Sequence, residues 1–221
     1  MDKLIEYCQA RYNAELEYKF SLSNIICWAL FIITLHSFYQ LKIPTLIHGI
    51  NTINMKLVTD LDTGILPTIT ISQLILSFLF VAIITWLSRK FSEGLFYLFC
   101  LKSDFGQLII DITLTFMKKD TPISKSDLEN KALPTLEKNQ KKLKQTKSIS
   151  EIALAISACS LSGLEFNLIN IGTALAGLII FAIITWRSFH FFIEEVLPYF
   201  VAVNYSTGKL TELKSSFNSS S

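Results

Sequence analysis

Charge is absent from three long stretches of this chain: residues 20–41, 65–88 and 167–186 contain no Asp, Glu, Lys or Arg. A helix needs about 20 mostly apolar residues to cross the hydrocarbon of a bilayer, so each stretch predicts a membrane span. With 51% hydrophobic residues in 221, the composition excludes an ordinary soluble domain. Cysteine is scarce and unpaired in spacing, with Cys8, Cys27, Cys100 and Cys159 far apart, which excludes a disulfide framework or a zinc knuckle. The three histidines, His36, His48 and His190, are equally scattered. No HExxH, GxSxG, P-loop or glycine-rich phosphate cradle occurs, so no enzyme, cofactor or metal site is expected. Arginine is rare beside lysine, a usage typical of AT-rich genes, and a bacterial source is expected. Asp2, Glu6, Glu15 and Glu17 deny the start the basic character of a cleavable signal peptide, and the N-terminus is expected to stay.

Against these absences stands a repeat. Ala-Ile-Ile-Thr-Trp occurs at 82–86 and at 182–186, each copy ending an apolar run beside basic residues, Arg89 and Lys90 in one case and Arg187 in the other. Trp favours the membrane–water interface and Lys or Arg the cytoplasmic side, so Trp86, Arg89, Lys90, Trp186 and Arg187 are read as interface anchors of helices leaving at one face. Ser88 and Phe91 recur as Ser188 and Phe191, consistent with a parallel duplication.

The charges then set a topology. Residues 89–147 hold twelve of the twenty basic residues against seven acids, and positive loops stay in the cytoplasm. Two outward-to-inward spans separated by a cytoplasmic segment require an inward-to-outward span between them, and only the weak stretch at 149–163 is available. The expected fold is therefore all-α and polytopic, with four transmembrane helices as two hairpins and cytoplasmic helical extensions. Its segments are a cytoplasmic amphipathic helix (1–19), TM1 (20–41), an outer-face loop with an amphipathic helix (42–64), TM2 (65–88), a Lys-rich cytoplasmic helical segment (89–147), TM3 (148–164), TM4 (167–187), a cytoplasmic C-terminal helix (188–214) and a disordered tail (215–221).

Outside the spans, apolar residues recur at helical spacing over 3–20, 44–63, 94–117 and 188–203. The outer-face helix at 44–63 caps the bundle, lies in the headgroup layer or meets a neighbouring subunit. Ser126 with Glu129 has capping-box form and opens a polar helix that Pro134 is expected to interrupt. Pro198 is expected to bend or end the last helix.

Ala153, Ser157, Ser160, Gly172, Ala176 and Gly177 supply the small side chains through which helices pack in lipid, within or between subunits. Lys138, Lys141, Lys142, Lys144 and Lys147 lie next to a membrane entry and are expected to meet anionic lipids. Direct nucleic-acid binding is disfavoured, because the run lacks interleaved aromatics and arginine. Glu151 is read as a solvated interfacial carboxylate, with a polar ring at the mouth of an oligomeric pore as the alternative. Glu194 and Glu195 beside His190 read as a helix-surface cluster.

In architecture alone, a small four-span chain with a cytoplasmic helical bundle resembles the membrane subunits of bacterial anti-phage defence cassettes and the membrane-embedded immunity proteins that neutralise pore-forming toxins. The charge distribution places both termini in the cytoplasm, and an inner helical domain joined to every span points to a non-enzymatic, homo-oligomeric sensor or adaptor of the bacterial inner membrane that relays an envelope event to a cytoplasmic protein partner, in the manner of the membrane subunit of such a defence system. A pore-forming effector lined by the Ser-rich third span or by the Asn167 and Asn170 region, and an immunity protein, are the alternatives.

Overall fold

The computed structural model describes residues 11–12, 22–54, 58, 64–100, 125–163 and 167–206, and every element among them is helical. Helix α1 (Leu22–Leu35) passes directly into a π-turn, His36–Gln40. The run stops at Lys42, whose φ of 50° lies in the left-handed region, and Pro44 beyond it cannot extend a helix. The Ile43 N–H reaches back to the Ser37 carbonyl at 3.0 Å, satisfying one of the free groups at the helix end. There follow α2 (Leu46–Thr52), α3 (Ile65–Thr68), α4 (Ile71–Cys100), α5 (Lys125–Leu161), α6 (Leu168–Phe191), a second π-turn (Phe192–Val196) and α7 (Leu197–Ser206). Three stretches, Leu22–Gln40, Ile71–Leu98 and Leu168–Phe200, are long and apolar enough to cross a membrane, consistent with a multi-pass membrane protein.

Several helix limits differ from the sequence expectation. The helix foreseen over 44–63 ends at Thr52, where Ile53 turns extended with ψ of 115°. The Thr52 hydroxyl donates to the Gly49 carbonyl at 2.9 Å, a local bond of the kind that competes with helix propagation. The run at 65–88 is split: Pro67 is confined to α3, Ile69 is extended, and the long helix starts at Ile71. A capping box sets that start, for Thr70 N–H donates to Gln73 Oε1 at 3.1 Å while Gln73 N–H donates to Thr70 Oγ1 at 3.3 Å.

Neither internal proline ends a helix. Pro134 sits inside an unbroken α5, and Asn130, Leu133, Pro134 and Glu137 are all exposed, so the carbonyl it deprives of a donor lies on the outward side. Before Pro198 the turn widens, with Leu197 N–H bonded to the Phe192 carbonyl, and the chain continues helically as α7. The Glu195 carbonyl accepts a further bond from Asn139 Nδ2 at 3.0 Å. Expectations for most of 1–21, for 101–124, for most of 55–63, for Glu165 and for the tail fall outside the described residues.

The chain divides into two compact units, one formed by Lys19–Lys90 with Lys147–Thr185, the other by Met1–Tyr18, Phe91–Thr146 and Trp186–Ser221. In the first, Ala153, Leu154 and Ala155 of α5 cluster with Cys27 of α1, Ile84 of α4 and Phe181 of α6. Phe31, Phe38, Leu46 and Cys159 form a neighbouring cluster, and Phe31 stacks on Phe80 with centroids 4.2 Å apart. By contrast, only 17% of the apolar window of α4 is buried, and Ile71, Ile75, Leu79 and Ile83 are exposed. A continuous apolar face of this size is unfavourable in water and at home in lipid.

The other unit is an aromatic core. Tyr12 lies 4.8 Å from Phe192, 5.9 Å from Phe96 and 6.0 Å from Phe189, ring centre to ring centre, with Leu136, Leu143, Val196 and Leu197 in the same cluster. Burial pushes the Tyr12 hydroxyl up to about 12, against the opposing effect of a hydrogen bond with Ser92. Arg11 closes one side, its guanidinium 4.2 Å from the Phe200 ring centre.

Candidate functional site: a buried polar seam in the apolar unit

Polar side chains are costly inside an apolar unit unless each finds a partner. Here they form a seam along α5. At one end Glu151 is 4% exposed, which corrects the expectation of a solvated carboxylate. It accepts a hydrogen bond from Ser23 Oγ at 2.9 Å, and Lys147 Nζ, one helical turn earlier, lies 3.7 Å from its other oxygen. Cys27 Sγ lies 3.9 Å from the Glu151 carbonyl. The partners come from the same chain, so a ring of Glu151 residues around a pore axis is not needed to explain its position. The hydroxyl–carboxylate–ammonium set superficially suggests nucleophile activation, but Ser23 is 1% exposed, which leaves no approach for a substrate.

Midway along the seam α5 meets α6. Ser157 Oγ donates to the Ala174 carbonyl at 2.7 Å. A Cβ added at Gly177 would lie 2.9 Å from the Ala153 carbonyl oxygen and 3.0 Å from Ser157 Cβ, so only glycine permits this approach. Ala153, Ser157 and Gly177 are thus brought together, and Ser160, also buried, donates to its own Ile156 carbonyl at 2.8 Å. Gly172 and Ala176 are exposed and take no part in this packing within the chain. The reason is phase: they lie on the other side of α6 from Ala174 and Gly177.

At the far end Asn170 uses its amide in both senses. Its Oδ1 accepts from Leu46 N–H at 3.2 Å and its Nδ2 donates to the Pro44 carbonyl at 2.8 Å. Leu46 is the first residue of α2, so the amide satisfies one of the backbone donors a helix start leaves free. Gly49 then rests against Ser37. Helix α2 therefore caps the apolar unit, while Ile47 and Ile50 face outward. Asn170 is buried, with both ends of its amide engaged.

Of the anchors, Trp86 (59%) and Trp186 (47%) are exposed, as are Arg89, Lys90 and Arg187. Ser88 and Ser188, at matching positions of the repeat, are both buried. Among the lysines assigned to lipid, Lys138 and Lys141 are exposed. Lys142 sits 4.8 Å from the Phe191 ring centre, and Lys147 Nζ lies 3.7 Å from Glu151 Oε1. His190 Nδ1 and Glu194 Oε1 are 3.8 Å apart on an exposed helix face. Among the described residues no group of three His, Cys, Asp or Glu side chains is placed to hold a metal.

Sequence reasoning missed Ser23 and the clamp made by Asn170. Their partners lie 128 and 124 residues away, and no local pattern announces such pairs. The Thr70–Gln73 box was readable from its spacing. In comparisons with protein-family models, curated proteins and solved structures, this chain matches none.

Proposed function

We propose that this protein is a non-enzymatic, four-span sensor or adaptor of the bacterial inner membrane, working as a homo-oligomer with both termini in the cytoplasm. It passes an event in the envelope to a soluble protein partner, in the manner of a membrane subunit of an anti-phage defence cassette. One observation carries the reading. The division between the two units falls at 90/91, 146/147 and 185/186, beside the Trp and Lys or Arg anchors from which the membrane boundary was inferred. The long helices α4, α5 and α6 each supply residues to both units. A change of packing in the apolar unit therefore has a covalent, helical route to the aromatic core.

The buried seam supports α5 as the third span, since its polar side chains are paired within the unit. The same pairing weighs against a pore lined by Ser157 or Asn170. Topology reporters fused at Thr52 are expected outside, and at Lys125 and Ser215 inside. An outside signal at Ser215 would remove 149–163 as a span and with it this topology. Crosslinking in cells should capture a cytoplasmic partner on the aromatic unit, and capture no higher than background would refute the adaptor role.

A further inference from the structure

Helix α2 is held at the level of the span ends, not above them. Its first N–H is bound by Asn170, just inside the apolar stretch that starts at Leu168, and its Gly49 rests on Ser37, just short of Gln40, where the stretch containing α1 ends. At about 1.5 Å of rise per residue, both contacts lie roughly 3–5 Å inside those ends, less than one helical turn. Yet among its residues only Leu46 and Gly49 are buried, and Ile47, His48, Ile50, Asn51 and Thr52 are all exposed. A helix sunk among the spans would be covered on most sides, so α2 lies at the rim of the apolar unit.

The exposed positions are sorted by chemistry. With about 3.6 residues per turn, Ile50 and Ile47 follow the buried Leu46 and Gly49 around the helix, and Asn51, His48 and Thr52 fill the remaining arc. One side therefore meets protein, the next offers branched aliphatic carbon, and the last offers amide, imidazole and hydroxyl. That is the order of a helix lying in the plane of an interface, with lipid beside it and water above. The chain between α1 and α2 agrees. Tyr39 and Leu41 are exposed there, Tyr is favoured at headgroup depth, and the exposed Lys42 is long enough to keep its ammonium in water above an apolar layer. A second copy of the chain fits this side poorly, because two isoleucines offer far less than the about 800 Å² that each partner brings to a stable pair. We infer that α2 is an interfacial helix, with Ile47 and Ile50 seated at the boundary of headgroups and acyl chains in the leaflet where α1 ends, and His48 and Thr52 turned to water. The inference rests on α1 and α6 crossing the membrane and holds whichever face that end reaches.

The test is photocrosslinking of the full chain in vesicles of phosphatidylethanolamine and phosphatidylglycerol, with an encoded diazirine amino acid in place of Ile47, Ile50, His48 or Thr52. Ile179, exposed on α6, is replaced in the same way as the reference for bilayer contact. The carbene formed on illumination inserts into what it touches, and intact-protein mass spectrometry separates the products: a phospholipid adduct from lipid, a crosslinked dimer from a second copy, a hydroxylated side chain from water. The expected result is phospholipid adducts at the Ile47 and Ile50 positions in severalfold higher yield than at the His48 and Thr52 positions. Equal lipid yields at the four positions, water products at Ile47 and Ile50, or dimers there would each overturn this placement of α2 while Ile179 still reports lipid. Loss of the lipid adduct at Ile179 as well would overturn the spans on which the placement rests, so the two failures are told apart.

Discussion

Two glycines five residues apart on α6 should respond differently to the same substitution. A methyl group at Gly177 would be placed 2.9 Å from the Ala153 carbonyl oxygen and 3.0 Å from Ser157 Cβ, both on a helix that cannot move aside as a flexible side chain would. At Gly172 the same methyl meets nothing within 4 Å. Overpacking costs about 1–3 kcal/mol, whereas replacing glycine by alanine in a helix gains up to about 1 kcal/mol. Gly172→Ala should therefore stabilise by up to about 1 kcal/mol, and Gly177→Ala should be neutral to destabilising by about 2 kcal/mol. The propensity gain is common to both, so their difference isolates the overpacking. For a chain of this size each kcal/mol moves the midpoint by about 2–4 °C, which puts the two variants about 2–12 °C apart. Thermal unfolding in lipid nanodiscs, followed by circular dichroism, measures this directly. Equal midpoints for the two variants, or Gly177→Ala as the more stable of the two, would refute the close approach of α5 and α6. Gly177→Val should enlarge the loss, since it adds two further methyl groups at the same contact.

Asn170→Ala should leave the Leu46 N–H and Pro44 carbonyl unpaired, at a cost of about 1–3 kcal/mol, and should make a cysteine placed at Thr52 label faster; unchanged labelling would count against the clamp. Glu151→Leu strands the Ser23 hydroxyl and the Lys147 ammonium, while Glu151→Gln keeps an acceptor for Ser23. The leucine variant should be the less stable by about 1–3 kcal/mol, and combining it with Ser23→Ala should recover part of the loss, since paired sites are not additive. Tyr12 tests the aromatic unit through pH. Its hydroxyl is held at about 12 in the fold against an ordinary 10, so above pH 10 the unfolded chain loses the proton first and is favoured. Stability should fall by about 1.4 kcal/mol per pH unit between 10 and 12 and level off beyond. That decline should be absent from Tyr12→Phe, and an alkaline unfolding profile identical for the two proteins would refute the buried setting of Tyr12.

What could be read from the sequence was whatever repeats locally. Uncharged runs give the three apolar helices, since length and hydropathy are summed along the chain, and the Trp-containing repeat falls beside the unit boundaries because interfaces select the same residue types each time. Pro134 misled, because a missing donor is judged without knowing which face of the helix it leaves bare. At Pro134 that face is exposed, and before Pro198 the turn widens. Glu151 misled for a related reason. A lone carboxylate at the edge of an apolar stretch reads as solvated unless its partner is known, and Ser23 lies far away in sequence.

The weakness of 148–164 as a span is itself explained by the seam. Hydropathy charges a segment for Glu151, Ser157 and Ser160 as if each met lipid, yet Ser23 answers the first, the Ala174 carbonyl the second and the helix's own Ile156 carbonyl the third. Two of these three partners belong to other stretches, one to α1 and one to α6. In the proposed topology the segment is therefore apolar only in company: α1 must already be present to receive Glu151, and α6 to receive Ser157. Helices α4 and α6 need no such help, since their exposed faces are aliphatic. Substitutions that spare α5 but disable its hosts, Ser23→Val on α1 and Gly177→Val on α6, should thus disturb α5 more than the helices that carry them. In the proposed topology a third span held by its neighbours and not by lipid would be the element most readily displaced, and α5 runs on into the aromatic unit.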